Sequence, residues 1–231
     1  MQRISLLLFA VMFVFASCSS DKAVDSSDNS DGTQLSFYLR YLESESKVKA
    51  IAECRVMNED SIMVADSFVY NIWVQGRPLE TLPEISKPGY YSLDLDHAQP
   101  GKFEFVFEDK NGKPETYTFN LLPKDSISVL SFRDTQGLEL QFSNQGLEDE
   151  ESLIIVVTDV DNASASTTIN GSQKGTVTVP YEVFSALKPG TLTLYLVRKT
   201  RIIAQHETGR KYVAELEYYY NDIKYELEKA L

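Results

Sequence analysis

The chain has 231 residues, with 34 Asp and Glu against 22 Lys and Arg, and a formal net charge of −12. No cluster of Lys and Arg with interleaved aromatics offsets that balance, so a phosphate backbone is a poor match and no nucleic-acid partner is expected. With two cysteines in all, there is no material for a disulfide framework, and the core must stabilise itself.

Met1-Gln2-Arg3 supplies one basic residue, and the apolar stretch Ile4 to Ala16 is too short to span a bilayer. It runs into Phe15-Ala16-Ser17-Cys18, where small residues precede a cysteine. This segment resembles the lipobox of bacterial lipoproteins, with Phe15 where that family usually has Leu, Val or Ile. The resemblance implies a signal peptide over residues 1–17, with Cys18 as the mature N-terminus. It further implies diacylglycerol (palmitate-type chains) on the Cys18 sulfur and a third acyl chain on its amine. At roughly 0.8 kcal/mol per buried methylene, several chains make a stable membrane anchor where one does not.

Residues 18–33 form a lipidated tether. Ser19 to Thr33 is mostly Ser, Asp, Asn and Gly, with too little to bury to offset its ordering entropy, so it is expected to be disordered. It would reach about 50 Å stretched and about 20 Å as a coil. Asp21, Asp25, Asp28 and Asp31 resemble the acidic segments that follow the cysteine in surface-exported lipoproteins of the Bacteroidota; a solvated spacer is the alternative.

After Leu35 the apolar pattern alternates with period two, which makes the rest all-β. Strands are expected over Leu35–Leu42, Val48–Met57, Ser61–Val74, Tyr90–Leu95, Lys102–Glu108 and Glu115–Leu122. Cys54 falls at a small, apolar, even position of the second strand and is expected inside as a small hydrophobe. Between Lys102–Glu108 and the next strand, an Asn-Gly two-residue turn would set Phe107 against Thr116, an apolar face against a polar one. A three-residue loop, Lys110 to Gly112 with Gly112 left-handed, instead pairs Phe105 with Tyr117 and Phe103 with Phe119, and is preferred.

Further strands follow over Ser126–Phe132, Leu138–Phe142, Ser152–Thr158, Thr167–Asn170, Gly175–Pro180, Thr191–Ile203 and Tyr212–Leu227, with one helical turn between Tyr181 and Leu187. In the last strand the apolar positions are even up to Tyr220 and odd from Ile223, so a bulge near Asn221-Asp222 is expected. Pro100-Gly101 precedes Phe103, Phe105 and Phe107; Pro189-Gly190 precedes Leu192, Leu194 and Leu196 at the same offsets, 89 residues later (189 less 100). The chain therefore parses as two tandem immunoglobulin-like β-sandwich domains, 34–123 and 124–231.

Catalytic chemistry has little to work with. The chain has two histidines, His97 and His206, and neither a nucleophile elbow nor a phosphate-cradling loop, so no metal centre, cofactor or catalytic residue is assigned. Asp159, Asp161 and Asn162 offer oxygen ligands to calcium at a strand end, or simply make a turn. Trp73, Tyr90, Tyr91 and Tyr219 are candidate ligand contacts that could stack on sugar rings if exposed, or fill the core if not. Asp60-Ser61-Ile62 and Asp125-Ser126-Ile127 resemble short O-glycosylation acceptors of the Bacteroidota at Ser61 and Ser126.

Together these features are similar in plan to the immunoglobulin-like lipoproteins of the Bacteroidota. They imply a lipid-anchored cell-envelope protein, at the outer membrane, with a non-enzymatic binding or assembly role toward a protein partner. A glycan-binding surface lipoprotein of a polysaccharide uptake system is the alternative, and a hydrolase the third reading.

Overall fold

In the computed structural model the described residues are 33–58, 61–64, 70–81, 89–108, 112–121, 125–133 and 136–227. The expected signal peptide, Cys18 and all but the last residue of the tether lie outside them, as does the expected boundary at Pro123-Lys124.

The first unit contains β1 (Thr33–Leu42), β2 (Lys47–Asn58), β3 (Ser61–Val64), β4 (Asn71–Val74), β5 (Arg77–Pro78), β6 (Glu80–Thr81), β7 (Tyr90–Leu95), β8 (Gly101–Glu108) and β9 (Pro114–Leu121). The stretch expected as one strand over Ser61–Val74 is thus β3 and β4, and the short strands β5 and β6 are additions. One layer runs β1-β2-β7-β6, with β3 on β2; the other runs β5-β4-β8-β9. Alternation makes this a sandwich. Every second residue of β1, from Leu35 to Tyr41, is buried, and Phe103, Phe105 and Phe107 of β8 face them from the other layer. The Phe37 ring lies 4.9 Å from Phe105 and 4.8 Å from Tyr117, close aromatic pairs that each add about 0.5–1.5 kcal/mol beyond burial. The β8–β9 register pairs Phe105 with Tyr117 and Phe103 with Phe119, as the three-residue loop requires, and Gly112 is left-handed at φ 74°.

The second unit contains β10 (Ile127–Arg133), β11 (Gly137–Phe142), β12 (Glu151–Thr158), β13 (Ser164–Asn170), β14 (Thr176–Val179), β15 (Gly190–Gln205), β16 (Lys211–Tyr219) and β17 (Ile223–Leu227), with a 3-10 turn at Tyr181–Phe184. Its layers are β10-β11-β14 and β13-β12-β15, with β17 on the first half of β15. Apart from β3 and β6, which have no counterpart among the described residues, this repeats the first unit: β10 and β11 stand as β1 and β2, β12 as β4, β13 as β5, β14 as β7, β15 as β8 and β17 as β9. The two Pro-Gly pairs precede equivalent strands, and Leu192, Leu194 and Leu196 are buried as their phenylalanine counterparts are.

The repeat breaks most consequentially at β15. β15 has 16 residues, roughly 53 Å at about 3.3 Å each, twice the length of β8. Its first half belongs to the second unit; its second half pairs with β16, and β16 pairs in parallel with β1. The hairpin therefore leaves its own sandwich and extends the β1 layer of the first. Its inward residues Ala214, Leu216 and Tyr218 join the first core, not the second. The two units consequently share a ten-stranded sheet. Residues 124–231 are thus not self-contained: the hairpin arm over roughly 198–219 completes the first sandwich.

Past the hairpin, Val197 faces Tyr219 while Leu194 faces Ile223, three steps on β15 against four on its partner. The extra residue is the expected bulge, and here it marks where the returning strand passes from one core to the other. Tyr220, at the bulge, packs against both cores.

Candidate functional site

The four aromatic candidates do not share a face. Tyr91 is 4% exposed in the first core, where its hydroxyl accepts the Tyr70 N–H at 3.1 Å. Trp73 stands between buried Ile72 and Val74 and so points outward from the β4 layer, whereas Tyr90 is on the outer face of the opposite layer. Tyr219 shares that outer face. Tyr90 is two strands over from Ser36 and Tyr219 pairs toward Leu42, which separates them by about 20 Å along the strand at about 3.3 Å per residue. The Arg40 guanidinium also covers the Tyr219 ring at 4.2 Å, and its hydroxyl donates to Glu217 at 3.1 Å. No flat aromatic platform forms among these four, because alternation distributes them over three surfaces.

Asp159 is committed to its own turn. One carboxylate oxygen accepts the N–H groups of Asp161 and Ala163 at 2.9 and 3.0 Å, and the other accepts the Lys188 N–H at 2.9 Å. The Lys188 bond, against burial and with the other two amides, holds its carboxyl below the usual carboxylate range. Asp161 pairs with the Lys188 ammonium, and Asn162 is left-handed at φ 64°. This is an Asx turn, the second of the two readings of this motif. Among the described residues no three His, Cys, Asp or Glu come together to hold a metal ion.

Ser126 is exposed ahead of β10 and Ser61 opens β3. Asp125, next to Ser126, pins the loop after β11, because its buried carboxylate accepts the N–H groups of Asn144, Gln145 and Gly146. Cys54 is fully buried and its thiol is pushed up to about 12 by that burial, as expected of a small hydrophobe.

Two buried arginines, not singled out from the sequence, hold the hairpin. Arg198, 3% exposed, donates to the Gly146 carbonyl at 2.6 Å and pairs with Glu151; its other terminal nitrogen lies 3.5 Å from Asp125. Burial works against its charge, but the Glu151 carboxylate more than offsets this, and Arg198 stays firmly protonated. At the hairpin tip, Arg210 Nε donates to Glu115 Oε2 at 2.8 Å, Tyr117 Oη donates to the same carboxylate at 2.6 Å, and the guanidinium sits 5.0 Å from the Phe107 ring centre. Burial alone would raise the Glu115 pKa; the bonds from Arg210 and Tyr117 outweigh it, and the carboxyl lies below its ordinary range. A signal for both sites was present. Arg198 continues the inward parity of Leu192, Leu194 and Leu196, Glu151 that of Leu153, and Glu115 that of Tyr117, and a charge at an inward position needs a buried partner.

Beside these anchors lies a crevice of about 460 Å³, lined by Thr118–Leu121 of β9, the second half of β15, Leu216 and Tyr218 of β16, and Glu148, Glu150 and Glu151. It exists because the hairpin overhangs. The β4 layer ends at β9, so among the described residues no strand of that layer faces the second half of β15. Its lining sets the apolar Phe119, Leu121, Ile202 and Leu216 beside Glu148, Glu150, Glu151, Arg198 and Arg201, and Ile203, 65% exposed, stands on the hairpin side.

Two open strand edges border it. Pairing of β15 with β12 stops at Thr200, and Arg201 donates its N–H to the Glu150 carbonyl; by alternation Ile203 and Gln205 present their backbone groups on that side with no strand partner among the described residues. On β8, the Glu104 carbonyl accepts from Gln75 on the β4 side. Odd residues of β8 therefore bond β9, and the even residues Thr116, Thr118 and Asn120 of β9 turn their N–H and C=O groups to an edge that no strand among the described residues covers.

No family model matches the chain, and no curated protein matches it. Among solved structures it is similar to a tetra-tandem repeat from the extending region of a large adhesion protein, with 16% identity, 82% of this chain and 49% of that one covered, and a TM-score of 0.25. A 1.5-MDa bacterial ice-binding adhesin gives 11% identity, 87% and 67% coverage and a TM-score of 0.21. The Yersinia pseudotuberculosis adhesin InvE gives 12%, 80%, 58% and 0.23. The chain spans about half the length of the first of these.

Proposed function

We propose that this chain is a lipid-anchored protein of the bacterial envelope, held at the outer membrane through Cys18, and that it works by binding a protein partner rather than by catalysis. The crevice at the overhanging hairpin carries this reading. It combines a row of apolar lining residues, Phe119, Leu121, Ile202 and Leu216, with open backbone edges, the two features that main-chain recognition of another polypeptide uses. The two units are locked together by a shared sheet, which suits a rigid presenter of that crevice. The lipobox-like Phe15-Ala16-Ser17-Cys18 supports the anchor, since a lipidated Cys18 would put the crevice on a leash of about fifteen residues from the bilayer.

The test has two arms. Cys18→Ala should abolish labelling by a fatty-acid probe and leave uncleaved precursor; equal labelling of both forms would remove the anchor. A photo-crosslinking residue at Ile203 should give a discrete protein adduct in intact cells, while the same residue at Leu130, 53% exposed on the second unit, should not. Adducts from both positions or from neither would overturn the crevice as the binding surface.

A further inference from the structure

The open edge of β9 has a shape and a charge that specify what it accepts. We infer that the crevice is a strand-acceptor groove: an extended segment of another protein adds to β9 as a fifth strand of the β5-β4-β8-β9 layer. The inference rests on the binding role proposed above and names the chemistry of the partner. Thr116, Thr118 and Asn120 offer the backbone groups, and added strands make their affinity from such bonds. The inner face of the added strand would continue the row of Phe119 and Leu121 against Ile202 and Leu216, so every second residue of the partner is apolar. The outer face would lie beside the exposed Thr118 and Asn120, so the intervening residues are polar. The lining carries Glu148, Glu150 and Glu151 against Arg198 and Arg201, Glu151 being paired with buried Arg198, so the acids are in excess there, on a chain of net charge −12. A Lys or Arg at the end of the segment complements it, and an acidic end is repelled. Addition is antiparallel, like every pair in that layer. In that geometry residues opposite one another share a face, so the polar residues of the partner exchange hydrogen bonds with Thr118 and Asn120, and the N–H groups of its apolar residues point away from β9.

The probe is a labelled peptide of sequence KVTITVK, titrated by fluorescence anisotropy against the full mature chain. Binding should weaken at least tenfold when both terminal lysines are replaced by glutamate, and at least tenfold when the two threonines are N-methylated. N-methylation of the central isoleucine should leave it within about twofold. At saturation the Thr118 and Asn120 amides should exchange with deuterium at least tenfold more slowly, while those of Tyr117 and Phe119, which face β8, should not change. Ile203→Lys, on an exposed wall, should weaken binding with no change in Tm. No binding up to about 1 mM, equal binding of the threonine-methylated peptide, or equal binding of the glutamate peptide would each overturn the inference. Persistent crosslinking from Ile203 alongside any of these results would leave the wider binding role standing.

Discussion

The Arg210–Glu115 pair is the clasp of the hairpin. Glu115 belongs to β9 and Arg210 to the turn after β15, 95 residues apart in sequence, so the pair exists only if the arm has crossed to the first unit. Arg210→Met keeps most of the side-chain volume and removes the charge. Glu115, 5% exposed, would then be a buried carboxylate without its cation, and breaking a buried pair in this way costs about 3–5 kcal/mol. For a chain of this size that is a fall in Tm of roughly 6–20 °C. The double variant Glu115→Gln with Arg210→Met leaves no lone charge and should recover most of the loss. The sign with pH follows from the depressed Glu115 pKa: in the wild type its contribution is present above the ordinary carboxylate range and is lost as pH falls through the lower folded value. In Arg210→Met the lone carboxyl is relieved by protonation, so the gap between the two proteins should close in acid. Urea unfolding at neutral and acidic pH measures each of these. A single variant within about 1 kcal/mol of wild type, the worth of an exposed pair, would refute the buried clasp.

Other expectations are more local. A fragment of residues 34–123, without Ala214, Leu216 and Tyr218 in its core, should show no cooperative thermal transition, and a Tm near that of the full chain would refute the shared-core topology. Gly146→Ala would put a Cβ 1.8 Å from the Gln173 carbonyl at φ 74°, whereas Gly171→Ala, at φ 71°, meets nothing within 4 Å. The first should therefore lose more than the about 1–3 kcal/mol of a strained left-handed residue and the second no more than that, by urea unfolding. The Cys54 thiol, buried and raised to about 12, should resist a disulfide reagent at pH 8 in the folded chain and react at once in urea; rapid reaction of the native form would contradict its burial.

What the sequence disclosed and what it hid follow from the range of the interactions involved. Period-two alternation reports the face of each strand, and so the burial of Phe103, Phe105 and Phe107 and of Leu192, Leu194 and Leu196 is legible in the residue pattern alone. Register is legible at the β8–β9 turn because, of the two-residue and three-residue loops, the three-residue loop alone sets apolar against apolar. The parity change before Ile223 discloses the bulge for the same reason. None of these local signals says which sheet a strand joins. The second half of β15 and β16 alternate like any hairpin of the second unit, and their transfer to β1 is decided by contacts far apart in sequence: Tyr212 against Phe37, Arg210 against Glu115, Tyr218 against Tyr41. The scatter of the aromatic candidates has a related reason, since composition names residues that can stack on a ligand but not the surface that gathers them. What did carry non-local information was charge out of place. Arg198, Glu151 and Glu115 occupy inward positions of apolar rows, where an isolated charge is too costly to leave unpaired. Arg198 with Glu151 marks the base of the hairpin, and Glu115 with Arg210 marks its tip.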